Sequence, residues 1–405
     1  MGEGATWEKA GLVGAAIGVV AAGAAAGVAI ERVTVGRGMR RRARLALDAT
    51  GPYGTLRGTA GTVASEDGTE LYYETEEAVP AEPEEAPAKP YKRGWPRRRR
   101  PEPGSEAAAQ QVTVVFSHGY CLNQDSWHFQ RAALRGAVRA VYWDQRSHGR
   151  SERGRDQAAG GPATIDQLGR DLKAVLDAAA PEGPVVLVGH SMGGMTVMAF
   201  ADQFPEYVRE RVAGIALIST SSGKLAAVTL GLPAIGARAF RALAPGLLRV
   251  MGSQADLVER GRRATAELFA GVIKRYSFGS DDVDPAVVRF AERLIESTPI
   301  DVVAEFYPAF TAHEKGEALA VLDGLPALVL AGEKDLLTPS AHSEEIAERL
   351  PEAELAVLPD TGHLVLFERP DTVNAALAAL VARACDGAGV PVPRRLRDLA
   401  AAGDA

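Results

Sequence analysis

Short apolar runs punctuate this chain at intervals. Val112–Phe116, Val138–Trp143 (with Arg139 inside it), Val185–Val188, Val212–Ile218, Ala327–Ala331 and Leu355–Leu358 each end at turn-forming or small polar residues. Runs of this length and bounding read as strands buried on both faces. Residues 58–64 and 69–75 flank Asp67-Gly68, the pattern of a β-hairpin. Between the runs, Ile165–Ala180 shows helical spacing, with Leu168, Leu172, Val175 and Leu176 on one face. Strands alternating with helices predict an α/β fold: a mostly parallel sheet covered by helices on both sides. The rhythm breaks over residues 223–322, which read as helices rich in Ala, Leu and Arg without a buried strand. That stretch is expected to be a helical cap, inserted between core segments 51–222 and 323–386. Residues 387–405, rich in Pro, Gly and Ala, are expected to form a flexible tail.

The remaining segments are set apart by charge. Residues 10–30 form a run, mostly of Ala and Gly, without a charged side chain and long enough to cross a hydrocarbon layer. Gly14/Gly18 and Gly23/Gly27 repeat the four-residue spacing of small-residue helix contacts in membranes. The leader holds Glu3, Glu8 and Lys9, and the basic cluster, Arg37 to Arg44, follows the run. Residues 1–50 are therefore expected to be a membrane anchor with its basic flank, and with the catalytic region on the cytoplasmic side. An export signal and a soluble or peripheral helix are the alternatives, and with them an exported or cytoplasmic protein. Nine acidic and no basic side chains lie in residues 66–85, and one Lys and five Arg in residues 91–100. Proline and repelling charge make 80–106 an exposed insertion. A formal net charge of -7 argues against a nucleic-acid binder. Two cysteines, Cys121 and Cys385, make no disulfide framework, and the seven histidines show no metal-binding spacing.

Candidate chemistry centres on Gly189-His190-Ser191-Met192-Gly193, between the Val185–Val188 strand and a helical stretch. G-x-S-x-G in that context puts a serine hydroxyl on a tight strand-to-helix corner near a helix N-terminus. A serine nucleophile needs a base, and the base needs an orienting carboxylate. In this architecture the order is Ser, acid, His. Asp335 follows the 327–331 strand and His363 follows the 355–358 strand, so Ser191, Asp335 and His363 occur in that order. Glu333 and, more weakly, Asp360 compete for the acid. His118, His148 and His190 read as loop-shaping or packing residues. Backbone N–H groups must meet the charge that builds on a reacting carbonyl oxygen; Met192, just after the serine, and Tyr120, in the loop after His118-Gly119, are the candidate donors. Trp127 and Phe129 read as core residues that could instead line an acyl pocket.

His118-Gly119, Asp144 to Ser151, Gly189 to Gly194, Asp335 and Gly362-His363 together resemble the α/β-hydrolase family, in its lid-bearing esterase and lipase branch. The resemblance runs from about residue 58 to 384 and implies a sheet of about eight strands. It implies a hydrolase of carboxylic esters, lipid or acylglycerol esters among them, working through an acyl-enzyme on Ser191 with no cofactor and no metal. The same residues leave open a thioesterase, an amidase or peptidase, an acyltransferase or a carbon–carbon bond hydrolase. A non-catalytic ligand-binding protein is a further alternative. The expected partners are a small-molecule or lipid ester and a membrane surface through 10–30, with no nucleic acid or protein partner. The anchor and the 80–106 insertion are not part of that resemblance.

Overall fold

The computed structural model describes residues 53–79, 111–232, 266–403 and positions 238, 242 and 243. The expected anchor at 10–30, the insertion at 80–106 and most of 233–265 lie outside them. Among the described residues no helix is long and apolar enough to cross a membrane.

Eight strands form one sheet: β1 (Thr59–Ala64), β2 (Glu70–Glu76), β3 (Thr113–Ser117), β4 (Arg139–Trp143), β5 (Val185–His190), β6 (Val212–Ile218), β7 (Ala327–Gly332) and β8 (Glu354–Leu358). Their spatial order is β1-β2-β4-β3-β5-β6-β7-β8. The hairpin β1–β2 is antiparallel and joins β4 antiparallel; every later pairing is parallel. The described helices that matter here are α1 (Ile165–Ala179), α2 (Met192–Gln203), α3 (Ala266–Ser277), α4 (Pro285–Glu296), α5 (Ile300–Ala312), α6 (Ser340–Arg349), α7 (Pro370–Gly387) and α8 (Arg394–Ala401).

The solid apolar strands are explained by a core on each side of the sheet. Val186 and Val188 of β5 face one way, toward Leu377, Leu380 and Val381 of α7. Val185 and Leu187 face the other, toward Leu172, Val175 and Leu176 of α1 and Val197 and Phe200 of α2. Period-two alternation thus loads both faces with hydrophobic side chains. Trp127 and Phe129 are core residues: Trp127 is fully buried with its ring 5.1 Å from that of Phe116, and Phe129 packs against Tyr53 and Phe367.

The expected flexible tail is corrected by α8. Leu396 is fully buried, and Leu399 and Ala400 pack against the same core cluster as α7. Three apolar positions within one short helix are enough to dock it, although charge and the neighbouring Gly and Pro residues hide them in the sequence.

The turn after β4 is tied down by an ion-pair network with no local signature. Arg146, buried, donates from Nε and Nη2 to Asp171 of α1 at 2.6 and 2.7 Å, and from Nη1 to Asp67 at 2.8 Å. Ser65 donates to the same Asp171 carboxylate at 2.5 Å. One guanidinium therefore joins the β1–β2 turn, α1 and the segment after β4. Arg146→Leu would leave Asp171 buried and uncompensated, so it is expected to cost about 3–5 kcal/mol of stability. A urea midpoint within error of wild type would refute this.

Candidate active site

Ser191 stands at the corner between β5 and α2, with φ 53 and ψ -117. This left-handed conformation is costly for a residue with a side chain. It is held by Ser191 N–H to Ile218 O at 2.9 Å, Thr220 Oγ1–H to Ser191 O at 2.7 Å, and the N–H groups of Gly194 and Met195 to Ser191 O at 2.9 and 3.2 Å. Gly193 is required by space, since a Cβ there would lie 2.0 Å from the carbonyl oxygen of Ser117.

The three residues expected from chain order meet in space. His363 Nδ1 lies 2.7 Å from Asp335 Oδ2, and His363 Nε2 lies 2.9 Å from Ser191 Oγ. A carboxylate only accepts, so Nδ1 carries the proton and Nε2 is free to accept from the serine hydroxyl. Asp335 also accepts from the N–H groups of Leu337 and Thr338 at 2.8 and 2.9 Å and from the Thr338 hydroxyl at 2.8 Å. Burial alone would raise its pKa, but the His363 charge and these hydrogen bonds outweigh it and hold the carboxyl below its ordinary value. Neither competitor takes that place. Glu333 is exposed and accepts from the N–H of Asp360, and Asp360 pairs with Lys334 at 2.7 Å.

Met192 is the first residue of α2, where a backbone N–H has no intrahelical acceptor. Tyr120 lies in the turn after β3 and shares a cavity wall with Ser191. Its hydroxyl donates to the carbonyl of Val303 in α5. Cys121 beside it is buried, which pushes its thiol up to about 12, so it is no ready nucleophile.

The other histidines are structural in their contacts. His118 donates from Nδ1 to Gly119 O at 2.8 Å and accepts the Gln145 N–H on Nε2 at 2.9 Å. His148 donates to Arg146 O at 2.9 Å. His190 donates from Nε2 to the carbonyl of His363 at 3.0 Å, a contact that residue type alone did not reveal. Ser191, His190 and His363 open onto a cavity of about 1150 Å³. Its walls include apolar side chains of the segment between β6 and β7, among them Leu225, Val228, Leu230, Ile273 and Ile295. Arg153, paired with Asp301 and with Glu305, forms a charged part of the lining. Among the described residues, no group of His, Cys, Asp or Glu is arranged to hold a metal ion.

Comparison with known proteins completes this picture. Residues 112–370 match the family model described as the alpha/beta hydrolase fold. The chain belongs to that family. Among curated relatives, it is 27% identical over 269 residues to the dihydrolipoyllysine-residue acetyltransferase component of the acetoin cleaving system of Pseudomonas putida, covering 66% of this chain and 63% of that protein. It is 26% identical over 287 residues to 3-oxoadipate enol-lactonase 2 of Acinetobacter baylyi, covering 68% and 90%. It is 27% identical over 274 residues to the mouse sn-1-specific diacylglycerol lipase ABHD11, covering 66% and 80%. The chain thus spans less than two thirds of the Pseudomonas relative, and more of the other two. Among solved structures, a thermophilic esterase from Thermogutta terrifontis matches with a TM-score of 0.57 at 22% identity, covering 80% of this chain and 98% of that one. At that identity the likeness is one of fold.

The buried histidines of this α/β-hydrolase make its stability depend on pH. Burial pushes His118 and His190 down to about 3, and His148 and His313 down to about 4, from an ordinary 6.5. Between those values the unfolded chain takes up protons that the folded chain refuses, so stability falls as pH drops below 6.5. Each site contributes up to about 1.4 kcal/mol per pH unit. Asp144, pushed up to about 6 by burial, acts in the opposite sense, as do the raised Asp171, Glu292 and Glu305, whereas the lowered His128, His342, Asp67, Glu74 and Asp335 act in the same sense as the four histidines. The melting temperature is expected to fall steadily from pH 6.5 to 4.5, and His148→Gln to reduce the slope. A flat profile would contradict the assignment.

Proposed function

We propose that this protein is a serine hydrolase of carboxylic esters. The observation that carries the reading is the continuous relay from Ser191 Oγ through both nitrogens of His363 to a buried Asp335 carboxylate, opening onto a largely apolar cavity. His363 Nε2 takes the Ser191 proton as Oγ attacks the ester carbonyl. Asp335 holds the ring in the tautomer with its proton on Nδ1 and stabilises the imidazolium. The backbone N–H groups of Met192 and Tyr120 receive the tetrahedral oxyanion. His363 then gives its proton to the leaving alcohol. A water, activated by the same Nε2, releases the acid and restores Ser191.

The apolar walls support an acyl chain as the group bound, in line with lipid or acylglycerol esters. The names of the lactonase and lipase relatives agree with ester chemistry. For residues 10–30 we infer an anchor that holds the enzyme at a membrane with Arg37 to Arg44 on the cytoplasmic side. Full-length protein should then sediment with membranes, and recovery wholly in the soluble fraction would remove the anchor.

Ester turnover and labelling of the serine by a fluorophosphonate test the central reading. Ser191→Ala is expected to abolish labelling and lower kcat by about 10³-fold or more, and Asp335→Asn to lower kcat by about 10³ to 10⁴. Each added methylene that the cavity buries should raise kcat/KM about fourfold, from about 0.8 kcal/mol per CH₂. Ester turnover unaffected by Ser191→Ala would defeat the mechanism, and a decline with chain length would defeat the acyl-chain assignment. Thioesters, amides and acyl acceptors in the same panel separate the alternative uses of the relay.

A further inference from the structure

One buried carboxylate beside the relay has no part in the chemistry described. Glu368 follows His363 by five residues, and its side chain turns back to the loop that carries the histidine. Its Oε2 accepts the N–H of Gly362 at 2.6 Å. Its Oε1 accepts the N–H of Ser280 at 3.0 Å, and both oxygens receive the N–H of Gly279, at 3.0 and 3.1 Å. Gly362 precedes the histidine, whereas Gly279 and Ser280 follow helix α3, whose Ile273, Tyr276 and Ser277 line the cavity. A single carboxylate thus joins the histidine loop to the end of a cavity wall.

The two segments meet main chain to main chain. A Cβ on Gly279 would lie 2.5 Å from the carbonyl carbon of Thr361, and a Cβ on Gly362 would lie 2.5 Å from the nitrogen of Gly279. Leu364 N–H donates to Ser277 O at 2.8 Å, which repeats the connection on the other side of the histidine. The carbonyl of His363 itself is held by His190. The Gly362 N–H, the His363 carbonyl and the Leu364 N–H are therefore committed, the last directly to the end of α3 and the first to the carboxylate that also holds Gly279 and Ser280. Charge-assisted bonds from a carboxylate to backbone N–H groups are the stronger kind, and a buried N–H that loses its acceptor is costly.

We infer that Glu368 is a positioning residue that couples the α3 wall of the cavity to the orientation of His363. A chain that seats against α3 bears on residues 277–280, and through Glu368 and the glycine seam on the angle at which Nε2 faces Ser191 Oγ. The inference rests on the reading of His363 as the base. An error on the order of 1 Å at a base costs about 100-fold in rate, so partial loss of this hold should be visible in kcat.

Glu368→Gln keeps the size of the side chain but turns an N–H₂ toward at least one backbone donor. Ester turnover by the purified full chain is expected to show kcat lowered about tenfold with KM within about twofold. The second-order rate of fluorophosphonate labelling of Ser191 should fall by a similar factor, because it reports the base and not the fit of the ester. A purely structural role would lower the melting temperature while leaving the kcat of the folded fraction intact. That result, or a raised KM at unchanged kcat, overturns the inference. Hydrogen exchange on the wild-type chain gives a test that needs no variant. Segments 277–281 and 361–364 are expected to gain protection together when a long-chain fluorophosphonate occupies Ser191, and a response confined to one of them overturns the coupling. Wild-type ester turnover that persists in Ser191→Ala would instead show that the mechanism itself, and not the coupling, is mistaken.

Discussion

The backbone of Ser191 is forced into a conformation that its side chain resists, and the centre of the sheet exists in a form that keeps it there. Positive φ at a serine costs about 1–3 kcal/mol unless the surroundings over-determine it. Here they do. β5 lies between β3 and β6. The end of β6 supplies Ile218 O and the Thr220 hydroxyl, and the end of β3 passes so close to Gly193 that no side chain fits between. A nucleophile on an edge strand would have one such neighbour, not two. The solid apolar character of β3, β5 and β6 follows from the same requirement, since only strands buried on both faces sit at the middle of a covered sheet.

Around that corner the fold treats buried carboxylates in two ways. Asp144 accepts the N–H groups of Gln124 and Arg150 at 2.7 and 2.8 Å, yet burial pushes its pKa up to about 6. Asp335 is as deeply enclosed, but the charge and hydrogen bond of His363 come on top of its backbone donors and take it below its ordinary value. Both carboxylates follow strands of one sheet. The difference lies in what faces the second oxygen: a partly exposed guanidinium 3.8 Å away for Asp144, an imidazole N–H at 2.7 Å for Asp335. Only the latter is held below the ordinary carboxyl value.

Much of this was legible in the residues because the relevant signals are local. Six apolar runs became β3 to β8, and Asp67-Gly68 became the β1–β2 turn, since buried parallel strands and tight hairpins leave contiguous traces. Ser191, Asp335 and His363 could be proposed together because each lies just beyond the end of such a strand, and strand ends converge on one edge of a parallel sheet. Arg146 with Asp171, His190 with the carbonyl of His363, and Glu368 with Gly279 were not legible. Each pairs residues far apart in the chain or uses a backbone group, and neither circumstance marks the sequence. Helix α8 escaped for a different reason: its apolar positions Leu396, Leu399 and Ala400 span little more than one turn among charged residues, too short a stretch to stand out beside the flanking Pro and Gly.

The helices between β6 and β7 read in the sequence as a helical cap inserted between two core segments. The contact at Gly279 and Gly362 ties that stretch to the core through the main chain. A seam with no side chains in it has no tolerance, because any Cβ on either strand of it meets a backbone atom at about the distance of a covalent second neighbour. Side-chain interfaces absorb change by repacking, whereas backbone contacts do not. A new cavity wall grafted between β6 and β7 would therefore need a glycine at the same height beside Gly362 and two N–H groups directed at Glu368. The part of the chain that shapes the cavity and the part that carries His363 have to change together, and the freedom to vary the lining lies in the side chains of α3 and α5, not in how α3 ends.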